Sequence, residues 1–282
     1  MDDVDVKPLY LVCFSAATTL VMLVAFLLGR RSLANDLTKG NSAQRLLGVG
    51  QVTAIFLVAS NAVKTSVKGV DIVHDAMWVG AFGLAGVALI AVTGKLGVGL
   101  LLSSKLPKEI DRGNVAAGLA AGAHYVATGI ITSHAMAGND LPTLGISCVF
   151  FVIGQATLHI FVSLFRALTT YDDSEQIAGE NLAAALSYAG AAIAIAIIIA
   201  RATEGDFDGW ASSLKGYVGV LLGVIALYPV RQVFVQMILL RAPLKLRGGP
   251  IDQGIAVERS AGLGALEAVT YVATALSVTH LA

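Results

Sequence analysis

Polar side chains inside apolar segments are the residues of this chain that could carry chemistry. A carboxylate, Glu267, lies inside the last apolar segment. His124 and His159 lie inside the fourth and fifth segments, and Gln155 precedes His159 by one helical turn, so both would share a helix face. Because charge in hydrocarbon is costly, such groups usually have a function. They predict a path for a proton or small cation. The alternative is an internal ion pair or hydrogen bond that fixes helix register.

Catalytic patterns are missing from the sequence. It contains no phosphate-binding P-loop and no GxSxG, HExxH or CxxC motif, and nothing in it pairs a nucleophile with a base. We therefore expect no enzymatic activity, no catalytic residue, no metal site and no cofactor. An enzyme acting on lipid or quinone is the least favoured hypothesis. Because the formal net charge is zero, bulk charge gives no reason to expect nucleic acid as a partner.

A short motif recurs where charged turns lead into apolar segments. Residues 36–43 and 109–116 both read acid, branched aliphatic, any residue, base, Gly, Asn, any residue, Ala. A looser copy covers 176–183, and a degenerate one surrounds Ser260. The motif residues singled out are Gly40, Asn41, Arg112, Gly113, Asn114 and Asn181. An Asn at a helix start can cap backbone N–H groups, and Gly permits a tight entry into the helix. Several such helix starts near basic residues could hold an anion or a lipid phosphate. The alternative is a cap and membrane stop without a ligand.

Composition places this chain in a membrane. It is 56% hydrophobic and 13% charged, with a mean hydropathy of +0.77, whereas soluble domains carry about 25% charged residues. A span needs about 20 mostly apolar residues. Eight segments qualify: 8–29, 42–63, 76–102, 115–137, 142–165, 182–200, 211–240 and 260–281. The sequence predicts an all-α polytopic membrane protein made of four helical-hairpin repeats.

Basic residues predict how the spans are oriented. Of 19 Lys and Arg residues, most lie in the turns inside the four hairpins. Cytoplasmic loops carry such an excess, so we expect these turns in the cytosol and both termini on the periplasmic side of a bacterial inner membrane. All four hairpins then share one orientation, which makes this a parallel repeat. The acidic N-terminus and the lack of a cleavage site indicate that the first segment is retained as a span.

Small residues dominate the second segment of each hairpin. Gly118 and Gly122 form one small-xxx-small pattern in the fourth segment, and Gly219 and Gly223 form another in the seventh segment. Such patterns allow close packing of helix backbones in lipid. They favour packing within the chain, and the alternative is a homo-oligomer or another membrane-protein partner.

The segment 108–118 resembles the hallmark of the YjfL-type family, bacterial inner-membrane proteins with a domain of unknown function. Residues 39–43 resemble the first-hairpin version of that hallmark, and residues 75–78 resemble the entry to the third span of its module. The resemblance implies two tandem four-span modules, residues 1–140 and 141–282. In the fourth hairpin Ser260 replaces the Asn. The family implies no activity, although some members are associated with membrane-stress proteins.

Two functions follow from these observations. We expect a channel-like or transporter-like protein for a small ion or cation, with Glu267, His124, His159 and Gln155 as its path. The alternative is a membrane scaffold or stress-response subunit that docks a cytosolic or membrane partner on the basic turns.

Overall fold

The computed structural model describes residues 7–30, 32–69, 71–102, 105–245 and 247–281. The helices in these residues are α1 (Lys7–Gly29), α2 (Leu33–Thr38), α3 (Ser42–Ser66), α4 (Ile72–Leu101), α5 (Leu106–Asp111), α6 (Val115–Ala135), α7 (Leu141–Leu168), α8 (Asp173–Ala178), α9 (Leu182–Ala202), α10 (Trp210–Arg231), α11 (Pro250–Ala256) and α12 (Ala261–Leu281). Within the described ranges, eight of them are long and apolar enough to cross a membrane. This confirms the all-α polytopic fold with eight spans.

Each hairpin has the same plan, a long helix, a short helix and a second long helix. The short helices α2, α5, α8 and α11 occupy the charged turns, where the sequence indicated turns without regular structure. We call the side of the bundle that carries them the turn side.

The long helices form two rows. The second helices of the hairpins pack in the order α3, α6, α9, α12 and make the closest contacts in the molecule. The first helices lie outside them, with α1 and α4 against α3, α4 and α7 against α6, and α7 and α10 against α9. Outer helices keep large apolar side chains exposed, as helices that face lipid require.

Glycines bring the inner helices into backbone contact. A Cβ at Gly118 or Gly122 of α6 would overlap the backbone of α3, and one at Gly190 of α9 would overlap Ala268 of α12. These residues therefore serve packing within the chain, which is the use of small residues that lipid favours. Gly219 behaves differently, because nothing lies within 4 Å of its Cβ position.

The seventh span changes from α-helix to π-helix where α10 ends. Pro229 lies inside α10, and residues Gln232–Leu239 continue the helix as a π-helix. Proline removes one backbone donor and disrupts the preceding turn, and π-helical turns relieve such a break, often at functional positions. The widened segment follows Arg231 directly, and Gln232 and Gln236 in it are both buried.

Candidate functional site

The motif asparagines join the hairpins to one another. Asn41 caps α3 by accepting from the Gln44 backbone N–H (2.9 Å), and its Nδ2 donates to the Ile110 carbonyl at the end of α5 (3.0 Å). Asn114 caps α6 in the same way and donates to the Ile177 carbonyl of α8 (2.8 Å). Each asparagine side chain therefore accepts a hydrogen bond from a backbone N–H at the start of a helix in one hairpin. It also donates a hydrogen bond to a carbonyl near the end of a short helix in the next hairpin.

Asn181 continues this pattern with a donation to the Ile255 carbonyl of α11 (2.7 Å). Three residues that precede the caps adopt positive φ, namely Gly113, Glu180 and Arg259. Gly40 does not, and a Cβ there would overlap the Asp36 carbonyl instead. We call the three asparagines and their carbonyl partners the asparagine ladder. The amide groups of these three asparagines thus form hydrogen bonds within the chain, as the interpretation of the motif as a helix cap requires.

Arg112 strengthens the ladder rather than pointing away from it. Its guanidinium pairs with Glu109 (2.6 Å) and Glu180 (3.3 Å) and donates to the Ala178 carbonyl (3.1 Å). Arg259 of the fourth hairpin also contacts the third hairpin, by donating to the Gly179 carbonyl (3.0 Å).

A cluster of buried charges lies near the turn side in the second half of the chain. Arg231 has 0% of its side chain exposed and Glu267 has 1%. The guanidinium donates through Nε to Glu267 Oε1 (2.6 Å) and through Nη2 to Asp252 Oδ1 (2.9 Å). Asp252 also accepts from the Thr170 backbone N–H (2.9 Å). The Arg231 guanidinium is therefore buried between two carboxylates and does not extend into water at the membrane interface.

A second arginine and carboxylate adjoin this pair. Arg166 lies 3.4 Å from Asp173, which is buried at the start of α8. The pKa of Asp173 is raised to about 7, chiefly because the carboxyl group is buried; Arg166 opposes this rise, and the negative charges of Glu267, Asp172 and Asp252 add to it. Arg166, Asp173, Arg231, Asp252 and Glu267 are called the ion cluster from here on.

The ion cluster carries more negative than positive charge. Three carboxylates face two guanidinium groups, and Glu267 Oε2 has no hydrogen-bond partner among the described residues. An unbalanced buried charge is costly unless a proton or cation compensates it. The raised pKa of Asp173, outside the membrane spans, is the response expected of such a group.

An open polar cavity reaches the cluster from the turn side. Its volume is about 430 Å³, and its lining includes Arg166, Thr170, Tyr171, Asp172 and Arg247. Arg166 therefore touches both this cavity and the buried carboxylate of Asp173. Water and small ions have access to the edge of the cluster.

The predicted histidines meet deeper in the bundle. The rings of His124 and His159 lie edge to face with centroids 5.8 Å apart, and His124 Nδ1 lies 3.1 Å from the Tyr188 hydroxyl. The Nε2 atoms of both histidines and the Gln155 amide are buried and have no hydrogen-bond partner in the described part of the chain. Tyr188 also lies within electrostatic range of Arg166 and Asp173. Tyr188 thus contacts His124 and is close enough to the ion cluster to be affected by its charges.

Polar side chains continue along α6 beyond the histidines. Thr128 and Thr132 follow His124 at one-turn intervals, and all three are fully buried. Near the end of α6, His134 lies 3.4 Å from Glu204 on the side opposite the turns. The stretch from His124 to His134 spans about 15 Å at 1.5 Å per residue. Buried polar groups of α6 thus extend from His124 toward the side opposite the turns.

The first half of the chain provides an internal comparison for the ion cluster. Aligning Asn41 with Asn181, and Asn114 with Ser260, pairs four of the five cluster residues with buried apolar ones. The pairs are Arg166 with Phe26, Asp173 with Leu33, Asp252 with Leu106 and Glu267 with Ala121. Because the same helices assemble there without the charges, the fold itself does not require them.

Sequence reasoning singled out Glu267, His124, His159 and Gln155, and the structure divides them between two places. The two histidines and Gln155 share the interior of the bundle, whereas Glu267 belongs to the ion cluster. Asp173 and Asp252 were not singled out, because they lie outside the apolar segments. The hairpin alignment was the signal that could have found them.

Comparisons with known proteins identify the family. The family described as Domain of Unknown Function (DUF350) matches residues 6–136 and again residues 139–281. A UPF0719 transmembrane protein of Aquifex aeolicus (strain VF5) is 26% identical over 106 residues, which cover 37% of this chain and 40% of that relative. The chain thus matches less than half the length of this relative.

No solved structure matches the chain. The expected membership of a family with a domain of unknown function is confirmed. The matching family is described as DUF350 and not by the YjfL name. This chain is a multi-pass membrane protein that belongs to the DUF350 family and contains two tandem copies of its domain.

Proposed function

We propose that the protein conducts a small cation across a bacterial inner membrane, and that the cation is a proton. The observation that carries this proposal is the charge imbalance of the ion cluster, three buried carboxylates against two guanidinium groups. A mobile proton would compensate that charge. The apolar counterparts in the first half support a function for the cluster beyond folding.

The route begins at the turn-side cavity and passes Arg166 and Asp173. From there Tyr188 links the cluster to His124, and the buried threonines of α6 lead toward the opposite side. Histidine and carboxylate groups in a bundle interior can relay protons between positions of similar affinity.

Packing around His124 favours a proton over a larger ion. Gly97 of α4 lies so close to the ring that a Cβ there would overlap Nε2. A hydrated metal cation would need these helices to separate, whereas a proton can move along hydrogen bonds without a wide pore.

Proton flux into liposomes tests the proposal. Purified protein is reconstituted around a pH-sensitive dye, and a potassium gradient with valinomycin supplies the driving potential. Tyr188→Phe removes one hydroxyl from the route, and losing one hydrogen bond of about 1–1.5 kcal/mol should slow flux about tenfold. Tyr217→Phe is the matched control, because its hydroxyl bonds Thr157 (2.9 Å) away from the route. Wild-type flux no faster than that of empty vesicles would refute the proposal, as would equal flux in the Tyr188 variant.

The proposal includes an orientation with the turn side in the cytosol and both termini in the periplasm. The excess of basic residues in the turns supports it. A C-terminal alkaline phosphatase fusion should be active in cells, and a fluorescent protein fused at the same point should be dark. The opposite pattern would overturn this orientation.

Docking of a partner is the second candidate function. Lys39 and Lys108 are exposed at the neighbouring turns that Asn41 joins, so they present positive charge together. Charge reversal at these two lysines should abolish co-purification of an acidic partner. Arg112 is a poor choice for that test, because its reversal would break the contacts with Glu109 and Glu180.

A further inference from the structure

A large groove lies in the first half of the chain, where the second half has its ion cluster. Its volume is about 940 Å³, which is near the upper end of the range of about 300–1,000 Å³ for small-molecule sites. Phe26 and Ala121, the counterparts of Arg166 and Glu267, both line it. The duplicated position is therefore charged in one half, whereas in the other half it is apolar and borders the groove.

One face of α4 forms the long wall of the groove. Leu84, Ala88, Ala91, Lys95 and Gly99 recur at helical spacing along this face, and all five are exposed. Small side chains at three of these positions leave the space open. Ala25 and Phe26 of α1 and Tyr125 of α6 line the other sides.

The groove changes from polar to apolar along its length. Arg30, Asp36, Gln44 and Asp111 line it at the turn side, and the residues on α4 toward Leu84 are apolar. On α4 the lining runs from Leu84 to Gly99, which is about 22 Å at 1.5 Å per residue. One leaflet of the hydrocarbon core is about 15 Å thick, so the groove is as deep as a lipid tail requires.

The charges at the polar end are balanced. Arg30 pairs with Asp36 (3.4 Å), and Asp111 accepts from the Gln44 amide (3.2 Å). Lys95 is positioned within reach of the same end, because a lysine side chain extends toward the membrane surface. Two basic and two acidic groups suit a headgroup that carries both signs, whereas a purely anionic headgroup would face two carboxylates.

We propose that this groove binds one phospholipid with a zwitterionic headgroup of the phosphatidylethanolamine class. Its phosphate lies near Arg30 and Lys95, its ammonium lies near Asp36 and Asp111, and an acyl chain follows the small residues of α4. The site is separate from the proton route, so it stands without the proposed function.

Native mass spectrometry from lipid nanodiscs tests this inference. The discs contain equal amounts of phosphatidylethanolamine and phosphatidylglycerol, and the lipid retained per chain is counted after release. Wild-type protein should keep one phosphatidylethanolamine. Ala91→Phe fills the groove and should lose it, whereas Val92→Phe, an exposed position on the neighbouring face, should keep it. Both positions are exposed, so neither variant should prevent folding, and circular dichroism verifies this.

Headgroup variants test the charge argument. Asp111→Asn should shift retention toward phosphatidylglycerol, because it removes a negative charge from the polar end. Loss of lipid in both phenylalanine variants, or equal retention of the two lipids by wild type, would overturn the inference. So would a dimer in the spectra that Ala91→Phe abolishes, because the groove would then be an interface between two copies of the chain.

Discussion

Replacing Arg231 with Met should destabilise the protein because it leaves two carboxylates buried without their partner. The guanidinium makes charged hydrogen bonds of 2.6 Å to Glu267 and 2.9 Å to Asp252. Each such bond contributes about 1.5–3 kcal/mol, and removing one member of a buried pair costs about 3–5 kcal/mol. We expect the free energy of unfolding to fall by about 3–5 kcal/mol.

A neutral replacement of the whole group should behave differently. Arg231→Met combined with Asp252→Leu and Glu267→Ala uses the apolar residues of the first half at the two acidic positions. Because no charge remains buried there, this variant should match the wild type or exceed it by about 1–4 kcal/mol. It should also conduct protons poorly if the cluster is the route.

Reversible unfolding in mixed detergent micelles, followed by circular dichroism, measures these differences. Arg201→Met is the matched control, because its pair with Glu204 (3.3 Å) is exposed and is expected to contribute about 0–1 kcal/mol. The reasoning fails if Arg231→Met is as stable as the wild type, or if the neutral variant is as unstable as the single one.

Three further changes probe pH dependence, the ladder and helix packing. Burial raises the pKa of Asp173 to about 7, so the folded protein keeps a proton that the unfolded chain has lost. The free energy of unfolding should therefore fall as pH rises from about 4 to about 7, and Asp173→Asn should flatten that slope in unfolding curves recorded at several pH values. Asn181→Ala should lower the free energy of unfolding by about 2–3 kcal/mol, because it removes both the helix cap and the amide donors of the side chain. Asn181→Ser keeps the cap, so it should lower the free energy of unfolding by about half as much in the same assay. Gly190→Ala should destabilise the protein by about 1–3 kcal/mol, because the added Cβ overlaps Ala268. Gly219→Ala adds its Cβ in open space and should stabilise the protein by about 0.4–1 kcal/mol. Shifts of the thermal unfolding midpoint measure both effects.

The long helices could be predicted because their apolar runs are set by the thickness of the membrane. The segment predicted at 182–200 becomes Leu182–Ala202, and the one at 115–137 becomes Val115–Ala135. The short helices could not be predicted, because the ends of three of them, α5, α8 and α11, are bonded by an asparagine of the preceding hairpin. The end of α8, for example, is held by Asn114, which lies far away in the sequence.

The candidate site was only partly accessible from the sequence. His124 stands out because an ionisable residue inside an apolar run is rare. Asp173 and Asp252 lie in charged turns, where a carboxylate is expected to be solvated, and they are buried because they lie on α8 and α11, the short helices that pack against the bundle. Arg231 lies at the end of α10, directly before a π-helical segment that apolar periodicity does not encode.

The asparagine ladder has two ends, and neither matches its interior. At the first end the Thr38 carbonyl accepts from Arg45 of its own hairpin (3.3 Å). At the last end Ser260 caps α12, and a serine has no amide group with which to donate to another hairpin. Joining another hairpin to the fourth one by the same contact would require an asparagine at position 260, because only an amide side chain both caps its own helix and donates to a neighbouring carbonyl.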